Sequence, residues 1–156
     1  MRETLVESAR PDGVKAELRD TDTHIHYLRS LVRPPAGSRA VPQDVFWLVD
    51  GTTYLGEIRI RRRASGSHPS IKSHLYYEIR PSRRGRGLGI EMLRRGLLKA
   101  RALGHRRLLA SAQESNQPSR RMLEQLGARL IARRTIPHTG GTFRLYEIRL
   151  AARRTA

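Results

Sequence analysis

With 156 residues, 38% of them hydrophobic and 29% charged, the chain is long enough for one domain with a sizeable core and too well mixed to be a disordered segment. It has no cysteine, which excludes disulfides, thiolate metal sites and cysteine nucleophiles, and no apolar run approaches the roughly 20 residues of a membrane-spanning helix. The formal net charge of +17, from 31 basic and 14 acidic residues, favours anionic partners such as nucleic acid, phosphorylated cofactors or acidic proteins.

Glu3, Glu7 and Arg10 stand where an export signal would be basic and then apolar, so a cytoplasmic location is expected. Leu5-Val6 reads as the start of a short strand. Val14 to Val32 reads as a helix with Leu18, Ile25, Leu28 and Leu31 roughly on one face. Pro34-Pro35-Ala36-Gly37-Ser38 breaks it. Val45 to Val49 is rich in strand formers, and Asp50-Gly51 is a hairpin turn signal leading to a partner strand over Tyr54 to Ile60. Arg61 to Ser70 reads as an exposed loop, and Leu75 to Arg80 as a strand ended by Pro81. A glycine-rich turn then opens a helix from about Gly87 to Leu103, with Ile90, Leu93, Leu97 and Ala100 at helical spacing and Gly104 beyond its end. Arg107 to Ala112 is a strand. Pro118 suits the first turn of a second helix that runs to Leu126 and stops at Gly127. Leu130 to Ile136 and Phe143 to Leu150 form a closing strand pair around Gly140-Gly141. The expected order is ββ-β-α-β-α-ββ after an irregular helical start. No repeat or linker divides residues 1–156, and residues 1–44 are the least legible part.

The strongest local feature is Arg84-Gly85-Arg86-Gly87-Leu88-Gly89. A strand ends, three glycines alternate with larger residues, and an amphipathic helix begins. A helix N-terminus offers unbonded N–H groups and the positive end of a dipole. Glycines let the backbone approach an anion closely, so the combination suits a pyrophosphate. Arg84 and Arg86 add charged donors. The loop lacks the Gly-Lys-Ser/Thr end of a P-loop, and its third glycine falls one position early for the dinucleotide fingerprint.

These residues carry a resemblance to the GNAT superfamily of N-acetyltransferases. The family's acetyl-CoA signature, Gln/Arg-x-x-Gly-x-Gly/Ala after the fourth strand, is matched by Arg84, Gly87 and Gly89. The second signature follows the fifth strand and is matched by Asn116, Ser119, Leu126 and Gly127. The stretch from Val45 to Leu150 also resembles a bacterial subgroup of acetyltransferases with a Phe-Trp-Leu-Val-Asp strand and an Ile-Arg-Pro-Ser lead into the loop. The resemblance implies an α/β (α+β) fold: a single domain with a mixed, splayed central sheet of about six or seven strands, flanked by helices. It implies acetyl-CoA as co-substrate and direct acetyl transfer to a primary amine of a small molecule or protein. The pyrophosphate is expected on the N–H groups of Arg86, Gly87, Leu88 and Gly89, the pantetheine arm beside the backbone of Ile79, and Asn116 and Ser119 on the other side. Dimers are frequent in the family, and a homodimer is left open here.

Two departures stand out. The position of the family's usual acid, a tyrosine on the second helix, is Leu123, and the often aromatic position that follows the helix is Ala128. Tyr146 on the closing strand is an alternative donor. For the base that keeps the acceptor amine neutral, Glu78 and His74 lie on the strand beside the cofactor gap and share a face if that strand is regular. His24 and His26 lack a third ligand at metal spacing, so no metal site is expected. Ser111, Ser115 and Ser119 lack nucleophile-elbow glycines. Arg59, Arg61, Arg62 and Arg63 read as a solvated strand end, and Phe46 and Trp47 as core. Two alternatives remain: a GNAT-fold protein that binds CoA without turnover, and a basic nucleic-acid-binding module.

Overall fold

The computed structural model describes residues 21–50, 53–137 and 141–151. The expected strand at Leu5-Val6, the first part of the expected N-terminal helix, Gly51 of the hairpin turn and Gly140 lie outside the described residues. Among the described residues, three α-helices and six strands follow in the order α1 (Thr21–Val32), β1 (Gln43–Asp50), β2 (Thr53–His68), β3 (Ile71–Ile79), α2 (Leu88–Ala102), β4 (Arg107–Gln113), α3 (Gln117–Gln125), β5 (Arg129–Ile136) and β6 (Gly141–Arg149).

The strands form two antiparallel three-stranded sheets, β1-β2-β3 and β4-β6-β5. In the first, Phe46 pairs with Ile58, Ile58 with Tyr77 and Ile60 with Leu75, which places one apolar row on a single face. α2 covers that face with Met92, Leu93, Gly96 and Ala100. Gly96 lets the helix come close, because a Cβ there would run into the Ile58 side chain. From the second sheet, Leu108, Ala110, Tyr146 and Ile148 complete the core with Leu123 of α3.

The crossover through α2 sets β3 beside β4, and the two strands belong to different sheets. Their join relies on side chains where β3 begins. The Leu109 N–H donates to His74 Nδ1 at 2.9 Å, and the Ser73 hydroxyl lies 3.4 Å from the Leu109 carbonyl. Towards the end of β3 the Tyr77 hydroxyl lies 2.6 Å from that of Ser119 on α3. The two sheets therefore make the splayed arrangement that the resemblance implies.

One element differs from expectation. Arg61 to His68 continues β2 instead of forming a loop: Ser65 pairs with Ser73 and His68 with Ile71, after a register irregularity beyond Ile60. Ser70 closes this hairpin by bonding His68 Nδ1 through its hydroxyl (2.6 Å) and its amide (3.2 Å). The arginines and serines there hide the strand because little of this extension faces the core. Trp47 also departs from expectation. It is 42% exposed and meets the Tyr54 ring edge-on at 5.7 Å, whereas Phe46 packs against the core.

Candidate active site

The glycine loop sits between β3 and α2. Pro81 to Arg83 form one 3₁₀ turn, and Arg84 is extended. Gly85 and Gly87 then take left-handed backbone angles, φ +73° and +75°, which any other L-residue adopts only under strain. A Cβ at either position would meet nothing within 4 Å, so the space above the loop is open to a ligand. Gly87 is the N-cap of α2 and supplies no capping side chain. The first N–H groups of that helix therefore lack intrahelical partners. Gly89 does different work: its missing Cβ makes room for the Met122 sulfur of α3, with Ile79 of β3 close by. Arg86 is exposed. Arg84 Nε donates to the Ile79 carbonyl at 2.9 Å, which ties the loop back to the end of β3.

The opposite wall is the start of α3. Asn116 is its N-cap, and its Oδ1 accepts from the Ser119 amide at 3.2 Å. Ser119 is buried, and its hydroxyl lies 2.6 Å from the Tyr77 hydroxyl. Burial raises the Tyr77 pKa, so the phenol carries its proton at neutral pH.

The other face of the first sheet is polar. Glu57 pairs across the strands with Glu78, and Arg59 with Tyr76. Arg59 ion-pairs with the buried Glu57 carboxylate. It also donates to the Tyr27 hydroxyl of α1 at 2.9 Å and lies over the Tyr76 ring at 4.5 Å. Arg61 donates to the Ser73 carbonyl at 3.2 Å. The expectation of a solvated arginine run fails for these two residues, which are drawn inward by carboxylate, carbonyl and aromatic partners. Tyr76 donates to Glu78 Oε2 at 2.6 Å. The register from Gly56↔Ile79 to Ile60↔Leu75 has no bulge, so Glu78 keeps the face its sequence position implies.

A family model for the acetyltransferase (GNAT) domain matches residues 9–129. The chain belongs to the GNAT family. As a GNAT protein it is an acyltransferase that uses acetyl-CoA. Among solved structures, RimJ from Mycobacterium smegmatis in complex with CoA-disulfide superposes with a TM-score of 0.66, at 21% identity over 93% of this chain and 70% of that one. An N-acetyltransferase from Staphylococcus aureus Mu50 gives 0.62, at 18% identity over 82% and 76%. The yncA protein from Salmonella typhimurium with its cofactor acetyl-CoA gives 0.61, at 18% identity over 88% and 76%. At these identities the likeness shows the fold. A comparison with curated proteins finds no significant match.

Within this GNAT domain the remaining expected site residues have other surroundings. His74 accepts from Leu109 N–H through Nδ1, so its proton sits on Nε2, and its ring meets that of His105 edge-on at 5.6 Å. Burial, then the His105 ring, lowers its pKa. Tyr146 is fully buried and donates to Glu124 Oε1 at 2.9 Å. Leu123 fills the core at 0% exposure, and Ala128 is buried after α3. His26 lies exposed on α1, while the His24 side chain is outside the described residues. Two neighbours of Glu78 escaped the sequence reading. Tyr76 and Tyr77 precede it by two and one residues, and the sequence around Tyr77 carries no sign of Ser119, which is 42 positions away.

Proposed function

We propose that this chain is an N-acetyltransferase that passes the acetyl group of acetyl-CoA directly to a primary amine, in a ternary complex, within one domain spanning residues 1–156. The observation that carries the reading is the open, left-handed turn at Gly85 and Gly87 on the N-terminus of α2. Its backbone shape and orphan N–H groups suit a pyrophosphate. In this reading the N–H groups of Arg86, Gly87, Leu88 and Gly89 hold the diphosphate, and the Arg84 and Arg86 guanidinium groups add charge. The Ile79 backbone and the Asn116-Ser119 end of α3 flank the pantetheine arm.

The amine enters on the polar face. Glu78 accepts its proton as the C–N bond forms, directly or through one water. Tyr76, donating to Glu78 and stacked beneath Arg59, holds that carboxylate in place. His74 serves as a strut of the β3–β4 join, since protonating Nδ1 would break its bond to Leu109. Tyr146 serves the core, where its hydroxyl secures Glu124. The acceptor is a small molecule or a protein amine.

The test is thiol release from acetyl-CoA with a panel of amines, comparing wild type with Glu78→Gln. Transfer to at least one amine is expected, with a kcat roughly 10²–10⁴-fold lower in the variant. Equal rates would remove Glu78 from the role. Acetyl-CoA binding with no transfer to any amine would favour a CoA-binding protein without turnover.

A further inference from the structure

Breaking a thioester leaves a thiolate, and a donor placed at the sulfur assists its departure, typically by 10²–10⁴-fold. The helix position that bears a phenol in many relatives of the resemblance is Leu123, which has no proton to give. Tyr146 is buried with its hydroxyl on Glu124, and Tyr76 is committed to Glu78 on the polar face.

Tyr77 is placed differently. It is the immediate neighbour of Glu78 on a strand stretch with unbroken register, so the two side chains leave opposite faces of the same sheet. Glu78 faces the Tyr76-Arg59 network, and Tyr77 faces the helices, 2.6 Å from Ser119. Ser119 and Leu123 are four residues apart on one face of α3. The Tyr77 hydroxyl therefore stands one helical turn from the Leu123 position, supplied by the strand instead of the helix. The anion cradle adjoins it, because Gly89 lies against both Met122 of α3 and Ile79, two residues along β3 from Tyr77.

We propose that Tyr77 protonates the leaving thiolate of CoA, with Ser119 as its hydrogen-bonding partner; the proposal rests on the acetyl-transfer reading above. The amine nitrogen bonds to the acetyl carbon and its proton passes to Glu78. The C–S bond breaks with its electron pair on sulfur, and sulfur takes the Tyr77 hydroxyl proton. The phenolate regains a proton from solvent by way of the Ser119 hydroxyl, and Glu78 returns its proton to solvent. The net change is one proton moved from amine to thiol. Base and acid act from opposite faces of one strand, one on the amine that adds to the carbonyl carbon and the other on the sulfur that leaves the tetrahedral intermediate.

The experiment needs no acceptor. CoA is titrated calorimetrically into wild type and Tyr77→Phe. The thiol of bound CoA is then titrated by thiolate absorbance, with the desulfo-CoA complex as reference to cancel tyrosine absorbance. A phenol donating to sulfur stabilises the thiolate, so both proteins should bind CoA alike and the thiol should titrate about 1–2 pH units higher in the variant. The same thiol pKa in both complexes would overturn the assignment while leaving the cofactor site intact. Failure of wild type to bind CoA would overturn the acetyl-transfer reading itself, and this assignment with it. Should Tyr77→Phe not fold, fluorotyrosine installed at position 77 keeps the side chain's size and makes the phenol a stronger donor. The thiol pKa should then fall below wild type, and an unchanged value would overturn the proposal.

Discussion

His74 and Glu78 share a face of β3, yet their neighbours give them different tasks. His74 spends its Nδ1 lone pair on the Leu109 amide and lies among His105, Arg107 and Arg61. Its folded pKa is below the ordinary 6.5, so the fold holds the neutral ring. That contribution to stability is present above about pH 6.5 and is lost as pH falls below it. We expect wild type to lose stability between pH 7 and pH 5.5 in denaturant titrations, and His74→Gln to be weaker at pH 7 but flatter over that range. Equal pH slopes would contradict this. At this scale the sequence shows which residue types are present on β3 but not what they touch. The face that Glu78 takes was legible because strand alternation fixes it. The strut role of His74 depends on a strand 35 residues away, and the bond from Arg84 to Ile79 depends on how the loop turns.

Elements were legible wherever their pattern is local. The helix from Gly87 onward, the strands around Ile58 and Ala110, and the stop at Gly127 all follow from periodicity and glycine chemistry. The extension of β2 to His68 was not, because a strand with few core-facing residues has no apolar alternation to read. Close approach between elements was not legible either. Gly96 carries no sequence sign that Ile58 sits against it. Gly96→Ala should lower the denaturant midpoint, because displacing the buried Ile58 side chain costs more than the roughly 0.5–1 kcal/mol that alanine gains in helix propensity; a stabilising substitution would contradict the contact. Glu114 joins the turn before α3 to β5 and β6. It accepts from Arg144 at 2.6 Å and 3.0 Å and from Arg133 at 3.2 Å. Hydrogen bonds from Arg144, then the nearby arginine charges, hold its pKa at about 2, below the ordinary 4.5. Its stabilisation is therefore present above pH 4.5 and lost as pH falls towards 2. Glu114→Gln should weaken the protein at neutral pH and flatten its acid unfolding in that window. An unchanged acid limb would remove the cluster from the account.

For the whole molecule, the charge of +17 favours the approach of anions. Acetyl-CoA is an anion, so its association rate should fall about tenfold or more from low to high salt, as followed by stopped-flow fluorescence of Trp47. A rate independent of salt would separate the charge from cofactor capture. The same charge also suggested nucleic acid at the level of composition. The family match and the shaped loop turn the reading towards a phosphorylated cofactor, and they do so through geometry that net charge does not contain. The splayed pair of sheets was legible only through the two motifs, because the gap between β3 and β4 is a property of strand order and not of any one segment.

The most direct measurement is calorimetric titration of acetyl-CoA into wild type and Gly87→Glu. Glutamate at φ +75° adds about 1–2 kcal/mol of backbone strain and sets a negative side chain at the mouth of the cradle. Thermal unfolding establishes that the variant is folded. The account predicts saturable binding by wild type and none by the variant. No binding by wild type, or equal binding by both, would contradict it.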